Sequence, residues 1–303
     1  MTDEMMREIL DIIGEDSVKR QEPMKNHTSF RVGGPADYYF VPRNEKEAVA
    51  LLRLFCDKKE PFFILGRGSN LLVSDAGYRG SIIALEYSDI DVSGTSICAS
   101  SGAALIKIAS VALANGLSGL EFASGIPGSL GGGITMNAGA YGGELKDVVE
   151  YVRLFDTGTG EVIDKPCDEM DFAYRHSIVS SGRYVVLSAK LNLTSGNPDE
   201  IKRVMDELKE KRVMKQPLEF PSAGSTFKRP EGYFAGKLIE DCGLKGYRVG
   251  DAQVSEKHSG FVINRGNATA TDIITLISDV QNKVYDTFKV RLETEVCMLG
   301  MDD

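Results

Sequence analysis

An α+β fold, rather than a doubly wound parallel sheet, is what this sequence predicts. Helical and strand-like stretches are mixed along the chain without a regular βαβ repeat. A glycine-rich run at 125–143, GIPGSLGGGITMNAGAYGG, has eight glycines in nineteen residues, and no residue from 122 to 143 is charged. After Gly196, Asn197 and Pro198 the composition shifts toward charged helix. At 303 residues the chain is long enough for two or three domains with sizeable cores.

Taken in order, residues 3–13 carry Met5, Met6, Ile9, Leu10, Ile12 and Ile13 at helical spacing, and Gly14 stops the pattern. Residues 27–41 read as extended, with a turn at Gly33, Gly34 and Pro35. Asn44 followed by Glu47 resembles a capping box, opening a helix with Val49, Leu52 and Phe55 on its apolar face. The strand PFFIL leads into Gly66, Arg67, Gly68, Ser69 and Asn70, a turn that is either a second binding loop or purely structural. Short strands are expected at 81–85 and 96–100, a helix at 103–115, and a hairpin pairing 148–155 with 161–164. A strand at 183–193 precedes the boundary. Helices follow at 199–212, 234–242 and 271–288, and a last strand at 291–299. In that strand, period two would put Leu292, Thr294, Val296 and Met298 on one face and Arg291, Glu293, Glu295 and Cys297 on the other.

A net charge of −9 argues against general nucleic-acid or anionic-membrane binding, so an anionic ligand needs a local basic site. Five scattered cysteines without a C-x-x-C pair read as free thiols of a reducing cytosol. No signal peptide or membrane span is read, and three distant histidines suggest no metal site. There is no G-x-G-x-x-G after a strand, no P-loop, no H-E-x-x-H and no G-x-S-x-G. The glycine run is then an anion cradle of another kind. Bare backbone N–H groups can hold a pyrophosphate without Lys or Arg, while Ile126, Leu130, Ile134, Met136 and Tyr141 call for burial and argue against a linker.

Seven blocks in order, NHTSFRVGGPADYY, LGRGSNLLVSD, SGIPGSLGGGITMNAGAYGGE, FAYRHS, PSAGSTFKRP, AGKLIEDCGLKG and LETEV, resemble the UDP-N-acetylenolpyruvoylglucosamine reductase family over about residues 24–299. The resemblance implies an FAD-binding fold of the p-cresol-methylhydroxylase type in two subdomains, 1–85 and 86–196, and a C-terminal α+β substrate domain, 197–303. The short passage from Leu193 to Pro198 matches the branch lacking an inserted tyrosine loop. The implied reaction is ping-pong. NADPH reduces non-covalently bound FAD, and the enolpyruvyl ether of a UDP-sugar is then reduced to UDP-N-acetylmuramate, a cytoplasmic step of peptidoglycan synthesis. A monomer without nucleic-acid, membrane or metal partners is expected.

By the same resemblance Ser225 is the proton donor, Arg175 the cation for the developing carboxylate-stabilised anion, and Glu295 a further catalytic group. On their own residues, these three read as a turn serine, a surface arginine and a solvated edge charge. The implied FAD contacts are Gly66, Arg67, Gly68, Ser69, Asn70, Leu71, Ile126, Pro127, Gly128, Ser129, Gly132, Gly133, Asn137, Ala138, Gly139 and Arg212. Tyr141, Lys215, Lys228 and Arg229 are implied in substrate binding, Arg229 standing where the best-known branch has Asn. The competing readings are an oxidase or dehydrogenase of the same flavin fold acting on another substrate, and a flavin-binding module without turnover. Covalent flavin attachment commonly uses His or Cys, and the glycine run has neither.

Overall fold

The computed structural model describes residues 1–301. The chain forms two compact units. The first takes Met1–Arg20, Tyr38–Arg67 and Gly80–Glu210; the second takes Gln21–Asp37, Gly68–Arg79 and the chain from Lys211 onward.

In the first unit, helix α1 (Asp3–Ile13) is capped by the Thr2 hydroxyl, which accepts from the Met5 N–H at 3.2 Å. Helix α2 (Glu45–Lys58) is capped by the Asn44 side chain, which accepts from the Glu47 N–H at 2.9 Å. Their apolar faces share one core: Ile9 and Ile13 from α1, Leu51, Leu52 and Phe55 from α2, with Phe40, Phe155 and Leu187. Strand Phe62–Leu65 pairs in parallel with residues 81–84 of strand Tyr78–Ala84, with Phe62 opposite Ser81. A five-stranded antiparallel sheet follows in the order Val162–Pro166, Val149–Asp156, Tyr184–Asn192, Ser96–Ser100, Ile90–Ser93. Helix α3 (Leu105–Ala114) and a short helix α4 (Leu130–Thr135) pack in the core beside this sheet, through Leu105, Ile108, Leu130 and Ile134. Helix α4 lies inside the glycine run, for which the sequence reading assigns no helix. The Ser129 side chain caps it, and Leu130 and Ile134, four residues apart, give it one buried face.

Helix α5 (Pro198–Lys215) buries only Ile201, so its charged pairs face water. In the second unit, α6 (Ala235–Asp241) and α7 (Ala270–Phe288) share a core with the antiparallel strands Ala252–Val254 and Val262–Asn264. The expected strand at 291–299 is mostly not one. Only Cys297–Leu299 is strand, parallel to Leu71–Val73, and Thr294 bridges singly to Phe227. The change of partner breaks the predicted alternation: Leu292 and Val296 are buried, but Met298 is exposed and Leu299 takes the inward place.

Asp75 fixes the start of α7. Its carboxylate accepts from the N–H groups of Ala270 (2.7 Å) and Thr271 (2.9 Å) and from the Thr271 hydroxyl (2.8 Å). Burial alone would raise its pKa, but these donors outweigh burial and hold it below the usual carboxylate value. A depressed folded-state pKa gives stability that is full above the unfolded pKa and lost as pH falls through the folded one. An Asp75→Ala variant is therefore expected to lose about 1 kcal/mol in urea unfolding at neutral pH. The gap to wild type should narrow as the buffer is taken below the carboxylate range.

Candidate active site

In the first unit, Gly66, which opens one predicted glycine loop, packs against the glycine run. A Cβ on Gly66 would lie 2.4 Å from the Ser129 Oγ. Within the run, a Cβ on Gly131 would meet the Ser101 Oγ at 2.0 Å, and one on Gly133 the Leu145 Cδ1 at 2.8 Å. These glycines are required by the protein's own packing. Gly132 is not: a Cβ there would meet only the Ser129 Oγ, at 3.5 Å. Its bareness leaves open space beside the backbone.

The hydrogen bonds refine which groups can meet an anion. The Leu130 N–H donates to the Ala103 carbonyl (2.8 Å), that of Gly131 to Ser101 (2.9 Å), and that of Gly132 to the Ser129 hydroxyl (3.4 Å). The N–H groups of Gly128 and Ser129 have no protein acceptor among the described residues, although Ser129 is only 2% exposed. Buried N–H groups are rarely left unpaired, so this pair suits the oxygens of a bound phosphate. In the second unit, the N–H groups of Ser69 and Asn70 likewise have no acceptor among the described residues.

Three of the predicted site residues hold left-handed backbone: Asn137 (φ 44°), Tyr141 (φ 53°) and Arg175 (φ 55°). The Asn137 side chain, 1% exposed, is wholly occupied by protein. It donates to the Glu144 carboxylate and the Ala173 carbonyl, and accepts from the Lys146 N–H. Only the backbone of this predicted cofactor residue remains for a ligand. The Ser177 hydroxyl donates to the Thr135 carbonyl at 2.9 Å, so the loop carrying Arg175 is moored twice to the glycine run. The Arg175 guanidinium stands 5.1 Å from the Tyr174 ring centre, and Tyr174 and Tyr141 are both exposed. The side chains of Ala138 and Leu71 are buried in packing, while Arg67 and Pro127 are exposed.

The second unit brings the segments of Ser225 and Glu295 side by side. Between them sits Thr226, fully buried. Its N–H donates to the Gly260 carbonyl (2.9 Å), its hydroxyl accepts from the Val262 N–H (3.0 Å), and its carbonyl accepts from the Glu295 N–H (2.8 Å). The half-buried Ser225 hydroxyl has no partner among the described residues. On the far side of Glu295, the Asn70 amide donates to the Glu295 carbonyl at 3.0 Å. Lys228 lies 3.4 Å from the Glu293 carboxylate, and the Arg229 guanidinium is 4.0 Å from the Phe234 ring centre. Lys215 is exposed in the last turn of α5, and Arg212 is half-buried one turn earlier. Thr226 is missing from the predicted set. Its partners are distant in sequence, and a threonine after a serine gives no signal of its own.

A model of an FAD binding domain matches residues 36–165, and a model of the UDP-N-acetylenolpyruvoylglucosamine reductase C-terminal domain matches residues 216–299. A UDP-N-acetylenolpyruvoylglucosamine reductase of Caldanaerobacter subterraneus subsp. tengcongensis is 51% identical over 99% of both chains. One of Clostridioides difficile is 50% identical over 97% of both. The chain belongs to the UDP-N-acetylenolpyruvoylglucosamine reductase family. The crystal structure of the Thermus caldophilus reductase superposes with a TM-score of 0.82 at 36% identity, covering 93% of this chain and 98% of that one. The fold is therefore the p-cresol-methylhydroxylase type of FAD-binding fold joined to the family's C-terminal α+β domain. All five cysteines are free thiols. No described helix is long and apolar enough to cross a membrane, and no metal-ligating cluster occurs among the described residues.

The contact of Gly66 with Ser129 gives a direct test of the loops. Gly66→Ala should leave a folded protein that purifies with little or no yellow cofactor. Adding Ser129→Gly, which removes the overlapped hydroxyl, should restore part of the FAD content measured after denaturation.

Proposed function

We propose that Arg175, Ser225 and Glu295 carry the chemistry of this family's reductive step, with Ser225 as the proton donor. The chain is an FAD-containing, NADPH-dependent oxidoreductase, a UDP-N-acetylmuramate dehydrogenase of peptidoglycan precursor synthesis. FAD supplies hydride carriage from NADPH to the methylene carbon of the enolpyruvyl ether of UDP-N-acetylglucosamine.

The residues present fit that cofactor. The unpaired N–H groups of Gly128 and Ser129 and the open space at Gly132 suit its pyrophosphate, and those of Ser69 and Asn70 belong to the second loop. The proposed cofactor set is residues 66–71, 126–129, 132, 133 and 137–139 with Arg212, held without a covalent bond.

When the methylene carbon is reduced, negative charge develops on the neighbouring carbon and spreads into the substrate carboxylate. A fixed cation lowers the energy of that charge without reorganising. Arg175 suits this, since its planar fork pairs two-fold with a carboxylate and its backbone is set by the moored loop. The carbanion-like centre is a strong base, so a serine hydroxyl is acidic enough to protonate it. The observation that carries the assignment is the Ser225 hydroxyl itself. It is half-buried, and no described residue takes its proton. Thr226 spends its own polar groups holding that segment beside Glu295. Tyr141, Lys215, Lys228 and Arg229 are proposed to hold the UDP-sugar, supplying the local basic site that a protein of charge −9 needs. Residues 197–303 are proposed as the substrate domain, and the nucleotide substrate supports a cytoplasmic setting.

Anaerobic NADPH should bleach the wild-type flavin, and the enolpyruvyl nucleotide should restore its colour. Rapid reoxidation by oxygen alone, with no response to that nucleotide, would move the chain to the oxidases. Ser225→Ala should still bleach with NADPH but form product about 10²–10⁴-fold more slowly. Wild-type turnover in that variant would remove Ser225 from its role.

A further inference from the structure

We propose that Asn70 is a positioning residue that couples the state of the cofactor loop to the placement of Glu295. The inference rests on the roles assigned above to that loop and to Glu295, and it concerns groups within the second unit alone.

Two bonds from Asn70 hold the chain on the C-terminal side of the proposed catalytic glutamate. The side-chain Nδ2 donates to the Glu295 carbonyl at 3.0 Å, and the main-chain carbonyl of Asn70 accepts from the Cys297 N–H at 3.0 Å. The next residue, Leu71, pairs with Cys297 in the parallel ladder. On its other side Glu295 is fixed through its N–H to Thr226. Both peptide groups of Glu295 are thus held, one by the proton-donor segment and one by the cofactor loop.

The orientation of the amide follows from chemistry. A carbonyl only accepts, so the NH2 end must face Glu295 and Oδ1 must point away. No described residue donates to that Oδ1, and Asn70 is only half-buried. An outward acceptor repels phosphate oxygens. It takes a hydrogen bond from an N–H or O–H instead, which FAD offers at its ring imide, its ribityl and ribose hydroxyls and its adenine amino group. Such a bond and the bond to Glu295 lie on one conjugated amide, so each polarises the other. A loaded loop therefore tightens the hold on Glu295, and an unloaded loop keeps the same bond but holds it less tightly.

Asn70→Asp keeps the shape and the outward acceptor but replaces the donor with a carboxylate oxygen facing the Glu295 carbonyl. In stopped flow, its reoxidation by the enolpyruvyl nucleotide should fall at least about ten-fold further than its reduction by NADPH, the effect of losing one hydrogen bond to the positioned group. Independently of turnover, amide exchange at Glu295 should slow when FAD is added to the wild-type apoprotein, and should lose that response in the FAD-loaded variant. Equal slowing of both half-reactions, or FAD-dependent protection at Glu295 that survives the substitution, would overturn the coupling and leave Asn70 a plain cofactor ligand. If wild type itself failed to be reoxidised by the nucleotide, the reaction assigned to the chain would fall, while the exchange arm would still decide the coupling.

Discussion

Backbone packed too closely for side chains is the constraint on which the two glycine loops depend. At Gly66, Gly131, Gly133 and Gly143 a methyl group would fall within 3 Å of Ser129, Ser101, Leu145 and Phe122 respectively. Each glycine costs about 0.5–1 kcal/mol of extra chain entropy relative to alanine. Burial of Leu130, Ile134 and Leu145 beside them offsets that cost, since a buried leucine or isoleucine contributes about 1.5–3 kcal/mol. The same closeness lets Ser101 and Ala103 take up the N–H groups of Gly131 and Leu130. Helix α4 is thus tied to its own unit, and the cradle narrows to the two donors of Gly128 and Ser129. The Ser129 hydroxyl caps α4, and its N–H has no acceptor among the described residues.

The second unit solves a different problem with one buried residue. Thr226 has no exposed surface, so each of its polar groups must be paired or cost about 1–3 kcal/mol. It pairs them with Gly260, Val262 and Glu295, three points far apart in sequence. The requirement to satisfy Thr226 therefore aligns the Ser225 segment with that of Glu295 before any substrate arrives. The strand pairing of Cys297–Leu299 with Leu71–Val73 extends the alignment to the loop at Asn70.

Local signals in the sequence were sufficient wherever an element is stabilised by its own neighbours. Helices α1, α2 and α7 have caps and 3.6-residue stripes, and the hairpin of Val149–Asp156 with Val162–Pro166 has its turn in sequence. Family blocks imply a set of site residues, but they say nothing of which atoms are already engaged. Asn137 illustrates this: its side chain is consumed by Glu144, Lys146 and Ala173, none of them signalled by its glycine-rich surroundings. The segment 291–296 alternates like a strand, yet its pairing changes from Phe227 to Leu71–Val73 at its end, a tertiary choice that overrides period two. Helix α4 was illegible because glycine has low helix propensity, and its stability comes from the Ser129 cap and two buried side chains.

The left-handed residues show how the first unit sets the backbone of Arg175. A non-glycine residue in that region costs on the order of 1–3 kcal/mol, and it persists only where its surroundings fix it. Arg175 (φ 55°) is fixed from both ends. Ala173 and His176 exchange backbone hydrogen bonds across it, the Asn137 amide holds the Ala173 carbonyl, and the Ser177 hydroxyl is bonded to Thr135. Asn137 is itself left-handed, so strain in the glycine run and strain in the arginine loop are borne by one hydrogen-bonded cluster. The protein thus meets the cost of presenting Arg175 on folding, so that, in the role proposed for it, the cost is not left for the moment when charge develops on the substrate. That is what electrostatic preorganisation requires.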